Sequence, residues 1–564
     1  MMNQDYNVEY EKWMGSTVID EDTLIELSGL FRSEDEKKDR FGSMLSFGTS
    51  GLRGIMRAGL NGMNVYTVRH ATQALANYIK RFEGGRDRGV AIAFDSRNNS
   101  ELFAVETACV LAANGIKVNI FETLRPTPEL SFAVREMGAI AGVNITASHN
   151  PKEYNGYKVY WEDGAQLSLE AADAVASEMA STDIFDGVTF MSLQEGIGKG
   201  FINIVGEDFD EKYIAKVLEQ SHMTDEMRSA ASELKLVYTP FHGAGTRLVP
   251  EVLGRIGIKN IIPVAEQMQP DGNFPTVKSP NPENTEGFKL ALDYARDNDA
   301  DIIIGTDPDS DRCGCAVRCD GDYRILTGNQ MGVLMLDYII SSRRAEGKLP
   351  ANAAVVKSIV STKMANAICD ANGVAIFEVL TGFKFIGEKI KEWEANGEYE
   401  FIFGFEESIG FLSGTYARDK DAVVAAMLMA EVSAYYKSKG MSVYEGLLDL
   451  YERYGYFNAK VKSFEFTGMG AKERMKSIME NLRKARPGEL GLTVESCIDY
   501  LSDDTGLPSS DVLSFILEGG NVAIVRPSGT EPKVKLYVMT RADSLEAAEE
   551  LTGVILDGAE KVLN

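Results

Sequence analysis

Histidine and cysteine are scarce in this chain, with 4 and 6 residues among 564. So few cysteines in so long a chain exclude a disulfide framework. Cys313, Cys315 and Cys319 do cluster, but CxCxxxC lacks the CxxC spacing of zinc motifs and has no histidine nearby, so the reading is reduced thiols on a strand. Long apolar runs are missing too: nothing approaches the roughly 18 residues of a membrane span. Positive charge is in deficit, 58 Lys and Arg against 84 Asp and Glu, a formal net charge of -26. That balance argues against nucleic acid and anionic membranes as partners, yet leaves room for an anionic small molecule wherever basic residues gather locally. The opening MMNQDYNVEYEKWMGS is acidic where a secretory leader would be basic and then apolar, so a cytoplasmic protein is expected. EDEKKDR, further along the first 40 residues, reads as a solvated helical face.

What is present is an ordinary globular composition, 44% hydrophobic and 25% charged, in a chain long enough for about three to five domains. One unit occurs three times: a strand, a helix closed by glycine, a second strand, and a third strand ending in a polar loop. The first copy runs GVAIAFDSR, ELFAVETACVLAANG, IKVNIFE and AIAGVNI into TASHNP. The second runs LKLVYTP, RLVPEVLGRIG, IKNIIPV and DADIIIG into TDPDSDRCG; the third runs AAVVKSIV, KMANAICDANG, VAIFEVL and YEFIFG into FEESIG. Gly115, Gly257 and Gly373 stand where left-handed helix caps are expected. Strands alternating with helices predict largely parallel sheets, whose ligands bind beyond the carboxyl ends of strands, where all three polar loops fall. After about residue 455 the pattern becomes strand, loop, strand, helix, a smaller α+β domain. Four domains are expected, at 1–204, 205–326, 327–455 and 456–564.

The loops carry the chemistry. Asp307, Asp309 and Asp311 alternate in DPDSD, and three carboxylates repel one another unless a cation lies among them. A calcium loop of the EF-hand kind would need Gly and Glu where this chain has Arg312 and Arg318, so Mg²⁺ is the expected ion. Arg312 puts a phosphate-seeking guanidinium beside the triad, and further cations stand at Arg53, Lys158, Lys384, Arg418, Lys420, Arg526 and Lys533. RPSGTEPK supplies the donors and open backbone of a phosphate cradle. In FEESIG, Glu406 and Glu407 are adjacent and point apart, which disfavours a glycosidase pair; Glu406 and Ser408 suit sugar hydroxyls. In TASHNP the same divergence of neighbours in an extended segment is expected to turn His149 away from Ser148, and no GxSxG elbow surrounds the serine. A Ser-His-Asp hydrolase is therefore disfavoured, and a phosphorylated serine nucleophile beside a metal is favoured.

Taken together, TASHNP, TDPDSDR, GFEESIG and RPSGTEPK, with FGTSGLRG and NGYKVY, resemble the α-D-phosphohexomutase superfamily, in particular its phosphoglucomutases and phosphomannomutases. The resemblance implies three related α/β domains with mixed, largely parallel sheets and a C-terminal α+β domain of the TATA-binding-protein-like type, around a central cleft. It implies that Ser148 carries a phosphate and that Asp307, Asp309 and Asp311 hold Mg²⁺ together with the Ser148 phosphate. Arg53 and Arg312 would contact the phosphoryl group, and Lys158 would be the acid-base residue; His149 belongs to the catalytic set by its place beside the serine. Glu406 and Ser408 match the sugar-binding loop, and Thr381, Lys384 and Lys420, with Arg418 beside them, match positions that bind substrate. Arg526, Ser528, Gly529 and Thr530 match the loop gripping the non-reacting phosphate.

The activity implied is interconversion of glucose 1-phosphate and glucose 6-phosphate, with glucose 1,6-bisphosphate as intermediate and activator. A phosphopentomutase or phosphomannomutase would use the same chemistry. A non-catalytic sugar-phosphate binder and a metal-dependent phosphatase are readings from other classes. Oligomeric state is not legible in the sequence.

Overall fold

A computed structural model of the chain describes residues 5–466, 470–485, 488–528 and 533–563. They divide into two compact units, Met1–Ala316 with Gly414–Glu431, and Val317–Ser413 with Val432–Asn564. No helix among the described residues is long and apolar enough to cross a membrane.

The first unit holds strands β1 (Leu52–Ile55), β2 (Val90–Phe94), β3 (Val118–Phe121), β4 (Ala141–Ile145), β5 (Tyr154–Trp161) and β6 (Ile202–Val205) in one sheet, ordered β1-β5-β4-β2-β3-β6. β4, β2, β3 and β6 are parallel, while β5 runs antiparallel to β4 and to β1, so the sheet is mixed as expected. β2 and β4 are buried along their whole length, as continuous apolar runs in a sheet covered on both faces should be. Gly142 of β4 lies so close to the helix Thr127–Glu136 that an added Cβ would stand 2.5 Å from Val134. That close approach seats the helix against the strand carrying Ser148 at its end.

The second sheet of this unit contains β7 (Lys235–Thr239), β8 (Asn260–Pro263) and β9 (Ile302–Thr306), parallel in the order β9-β7-β8, with β10 (Cys313–Cys319) beside β9. Cys313 and Cys315 are fully buried and Cys319 partly so, all with free thiols, the arrangement read from the sequence. Helices Tyr6–Gly15, Glu21–Ser28 and Glu34–Phe41 gather around the fully buried Trp13 with Phe41, Tyr66 and Phe185. EDEKKDR forms most of the third helix and is mostly solvated, with one departure. Lys37 is buried, its ammonium 5.0 Å above the Tyr10 ring and 2.9 Å from Glu34. Its aliphatic stem covers the aromatic cluster while an adjacent carboxylate holds the charge.

In the second unit, β11 (Asp322–Leu326) is followed by β12 (Ala353–Ser358), β13 (Ala375–Val379), β14 (Glu400–Glu406) and β15 (Gly410–Leu412), these four in the order β13-β12-β14-β15. The first three are parallel and β15 is antiparallel. A separate antiparallel sheet comprises β16 (Tyr456–Glu465), β17 (Val494–Asp499), β18 (Leu513–Leu517), β19 (Asn521–Pro527) and β20 (Lys533–Ala542), in the order β16-β20-β19-β18-β17. Helices Ala471–Ala485 and Leu545–Leu563 join this sheet in one core. Val522, Ile524, Tyr537 and Met539 meet Ile359, Val360 and Leu380, which follow β12 and β13, in a further apolar cluster.

The threefold unit holds in detail. Gly115, Gly257 and Gly373 have φ of 72°, 107° and 66°, the left-handed caps expected. β4, β9 and β14 each end where a polar loop begins.

Candidate active site

Ser148 follows β4 by three residues, at the buried carboxyl end of a parallel strand. Its φ is 51°, a left-handed conformation uncommon for a residue with a side chain. Its N–H donates to Thr146 Oγ1 at 2.8 Å, and Thr146 in turn donates to Asp95 Oδ2 at 2.7 Å. Gly156 of β5 lies directly beneath: a Cβ there would stand 2.4 Å from the Thr146 carbonyl oxygen, so only glycine lets the strand approach the loop.

The expectation that His149 points away from Ser148 is corrected here. It assumed an extended segment, and the left-handed serine makes a turn instead, which brings His149 Nδ1 to 3.2 Å from Ser148 Oγ. The disfavoured hydrolase stays disfavoured for another reason. Ser148 Oγ donates its single proton to Asp307 Oδ2 at 2.8 Å, so that proton is held by the carboxylate and not offered to the imidazole. Burial, followed by Arg312 and Arg53, pushes the His149 pKa well below the usual value and keeps the ring neutral.

Asp307, Asp309 and Asp311 follow β9 and are buried, each offering an oxygen within 4.8 Å of the others. Asp307 Oδ1 accepts the N–H groups of Asp311 and Arg312 at 3.1 and 3.0 Å, which curls the loop around its own carboxylate. Asp309 Oδ2 accepts from Thr127 Oγ1 at 2.8 Å and Lys158 Nζ at 2.7 Å. Asp309 Oδ1 and Asp311 Oδ1 are buried with no hydrogen-bond partner among the described residues. Buried carboxylate oxygens carry a desolvation cost that a partner must offset, and oxygen-only donors of this charge fit a hard divalent cation. Burial, then the proximity of Asp309 and Asp311, drives the Asp307 pKa well above the carboxylate range. Three such groups do not stay ionised together without added positive charge.

Lys158 stands opposite Asn144 in the β4–β5 register and is 4% exposed. Burial disfavours its charge, but Asp309 and Asp311, at 2.7 and 3.5 Å, outweigh that and raise its pKa. Lys420 Nζ lies 3.2 Å from Asp311 and 2.9 Å from Asp419. Asp419 Oδ2 accepts from Tyr160 O–H at 2.8 Å and Gln166 at 3.1 Å, so the segment with Lys420 is tied to β5 two residues beyond Lys158. Arg53 on β1 donates to Asn150 Oδ1 at 3.1 Å. Arg312 is 3.9 Å from Asp311 and 3.8 Å from Glu283. Arg418 is buried, donating to the Thr415 carbonyl at 2.8 Å, while its own N–H donates to Ser131. Thus Ser148, His149, the three aspartates, Lys158 and Lys420 form one cluster, with Arg53 and Arg312 at its edge and Arg418 packed into the interior.

In the second unit, Glu406 Oε1 accepts the Gly382 N–H at 2.7 Å, and Glu407 Oε2 accepts from Ser358 Oγ at 3.0 Å. The two adjacent carboxylates serve different partners, as their predicted divergence requires. Glu406 therefore ties the FEESIG loop to the turn of Thr381 and Gly382 that caps the helix Phe383–Asn396, whose first turn carries Lys384. Lys384 Nζ lies 4.7 Å over the Phe385 ring, and burial lowers its pKa. Arg526, near the end of β19, pairs in register with Lys535, and Ser528 N–H donates to the Lys533 carbonyl at 2.7 Å. Gly529 and Thr530 lie outside the described residues.

Sequence reasoning passed over Asp95, Arg97 and Thr127. Arg97 sends its guanidinium to backbone carbonyls of the serine loop, while Thr127 holds Asp309 by side chain and by main chain, its N–H donating to the Asp309 carbonyl at 2.8 Å. The available signal was position: Asp95 and Arg97 also follow a parallel strand at its carboxyl end.

Comparison with known proteins agrees with this geometry. Four phosphoglucomutase/phosphomannomutase family models match in order: α/β/α domain I at 44–184, domain II at 211–321, domain III at 327–454 and the C-terminal domain at 473–556. A phosphoglucomutase of Staphylococcus epidermidis is 36% identical over 542 residues, covering 93% of this chain and 96% of that protein. One of Staphylococcus aureus is 35% identical, covering 93% and 95%. The fold is shared with a putative phosphomannomutase from Thermus thermophilus, at TM-score 0.69 and 22% identity over 92% of this chain and 99% of that one. It is shared also with the open form of the Paramecium phosphoglucomutase parafusin, at 0.66 and 17% over 91% and 96%. With all four domains matched in order and relatives aligned over nearly their whole length, this chain belongs to the phosphoglucomutase/phosphomannomutase family and is an isomerase of the phosphohexomutase fold.

Proposed function

We propose that the protein is a phosphoglucomutase, interconverting glucose 1-phosphate and glucose 6-phosphate through phospho-Ser148 and glucose 1,6-bisphosphate. The observation that carries this reading is the Ser148 hydroxyl, held 2.8 Å from Asp307 within a buried triad that also touches Lys158. In the first half-reaction a sugar hydroxyl attacks the phosphoserine phosphorus. The bond from phosphorus to Ser148 Oγ breaks and a bond to the sugar oxygen forms; the hydroxyl proton passes to Lys158, which takes it as the neutral amine after yielding a proton to Asp309, 2.7 Å away, and a proton returns to Ser148 Oγ as it leaves. The bisphosphate then presents its other phosphate, and the steps reverse at Ser148.

Asp307, Asp309 and Asp311 would hold Mg²⁺ with a phosphoryl oxygen of Ser148; the two unpartnered carboxylate oxygens support the assignment. That ion would offset the charge of the phosphoryl group in transfer. Arg53 and Arg312 supply guanidinium donors for the same group, and His149, neutral, lies 3.2 Å from the serine oxygen. Glu406 and Ser408 take sugar hydroxyls; Thr381, Lys384 and Lys420 serve substrate recognition, with the buried Arg418 bracing the segment that carries Lys420 through the Thr415 carbonyl, and Arg526, Ser528, Gly529 and Thr530 serve the non-reacting phosphate. A solved protein of this fold from Aspergillus fumigatus, an N-acetylphosphoglucosamine mutase 14% identical to this chain at TM-score 0.50, carries a sugar phosphate and magnesium. We assign the domains as 1–204, 205–326, 327–455 and 456–564, a cytoplasmic location, and a sugar phosphate as the partner.

Turnover on glucose, mannose and ribose 1-phosphates, each with catalytic bisphosphate, tests the substrate. Highest kcat/KM on glucose 1-phosphate supports the reading; a clear preference for mannose or ribose 1-phosphate overturns it. Phosphate release faster than isomerisation would make the protein a phosphatase instead.

A further inference from the structure

The serine loop is held by a residue that touches neither the triad nor the serine side chain. Arg97, whose side chain is fully buried, donates to four consecutive-turn carbonyls: those of Ser148, Asn150 at 2.6 Å, Pro151 at 2.9 Å and Tyr154 at 3.1 Å. Its charge is met by Asp95 at 3.2 Å, and its guanidinium lies 5.1 Å over the Phe274 ring. Asp95 also accepts from Ser100 and from Thr146, and Thr146 accepts the Ser148 N–H. Both peptide groups flanking the left-handed Ser148 are thus fixed, the N–H by Thr146 and the carbonyl by Arg97, and both anchors converge on one carboxylate. A left-handed serine is an unfavourable conformation that persists only where its surroundings impose it. Here that conformation aims Oγ at Asp307, 159 positions away.

We propose that Arg97, acting with Thr146, is a positioning residue for phosphoryl transfer: it clamps the backbone on both sides of Ser148 so that Oγ stays in line with the incoming sugar oxygen. The proposal rests on the mutase reading above. Arg is required rather than Lys, because a planar fork reaches several carbonyls at once and a single ammonium does not. Small losses of alignment at a reacting atom are costly, on the order of 100-fold for a displacement of about 1 Å. The clamp acts on the backbone of the serine loop and bonds none of the residues assigned to the sugar or its non-reacting phosphate, so its loss should spare sugar-phosphate affinity.

The test is the single-turnover rate of phosphoryl transfer from phosphorylated full-length protein to glucose 1-phosphate, together with steady-state KM and kcat, for wild type, Arg97→Lys and Thr146→Val. Thr146→Val keeps the side-chain shape and removes the hydroxyl that accepts the Ser148 N–H and donates to Asp95, leaving Arg97 in place, so it carries the test if Arg97→Lys folds poorly. The expected result is a fall in transfer rate and kcat of about 100-fold for Arg97→Lys and at least about tenfold for Thr146→Val, with KM within about threefold of wild type. A transfer rate within about threefold of wild type in a folded variant overturns the clamp, as does a rise in KM with kcat unchanged. If wild type itself takes no phosphoryl group on Ser148, the mutase reading fails first, and that outcome is separate from both.

Discussion

Ser148 Oγ donates to Asp307 Oδ2 at 2.8 Å, joining the loop after β4 to the loop after β9. The nucleophile candidate and the metal-ligand candidate therefore meet although their two strands lie in different sheets. What joins them is the equivalence of the two strand ends, repeated within one unit of the chain.

Metal removal is the first expected consequence. Chelation by EDTA should abolish mutase activity and added Mg²⁺ should restore it, as followed by glucose 6-phosphate formation. Asp309→Asn should lower kcat by at least about 100-fold at saturating Mg²⁺, since it removes charge from a position that also holds Lys158. Full activity in metal-free buffer would contradict the assignment.

Lys158→Met should lower kcat by about 10² to 10⁴-fold, the range for loss of a positioned acid-base group. The methionine keeps an unbranched stem on β5 while removing the ammonium that contacts Asp309 and Asp311. The check is kcat against KM: the loss belongs in kcat.

Much of this site was legible because its chemistry resides in side chains at fixed spacing. Asp307, Asp309 and Asp311 alternate on an irregular loop, and their number alone requires a cation. The glycine caps at Gly115, Gly257 and Gly373 were legible because a positive φ there follows from helix termination. Ser148 was misjudged in its geometry because its positive φ is imposed by Thr146 and Arg97, partners brought by tertiary structure. Arg97 itself was passed over because its targets are backbone carbonyls, which leave no mark in the residue pattern. Lys37 was read as solvated because its identity says nothing of the Tyr10 ring beneath it.

Gly156→Ala should perturb both stability and activity. Its Cβ would meet the Thr146 carbonyl at 2.4 Å and that of Leu52 at 2.9 Å, both backbone atoms that cannot turn aside. A loss of about 1–3 kcal/mol in denaturant unfolding is expected, with a fall in kcat as the serine loop is displaced.

The second unit should show an acid-sensitive ion pair. Glu378 receives Lys363 at 2.7 Å and the fully buried Lys357 at 3.1 Å. Burial opposes its charge, but Lys357 and Lys363 outweigh that and depress its pKa to about 2. For Lys357 burial wins, and its pKa falls to about 8, because it has no solvent exposure and must share one carboxylate. A carboxylate depressed in the folded state contributes stability that is complete above its unfolded pKa, roughly 4.3, and is lost as pH falls toward 2. Denaturant midpoints measured from pH 6 to pH 3 should fall more steeply for wild type than for Glu378→Gln, which should also be less stable at pH 7 because Lys357 loses its partner.

The central claim is that Ser148 carries the phosphoryl group, and intact-protein mass with peptide mapping tests it most directly. Wild type incubated with glucose 1,6-bisphosphate should gain the mass of one phosphoryl group, mapped to the peptide containing TASHNP, and lose it when excess glucose 1-phosphate is added. Ser148→Ala should neither gain the mass nor turn over. Mutase turnover by Ser148→Ala, or a phosphoryl group mapped elsewhere while turnover proceeds, would contradict the account.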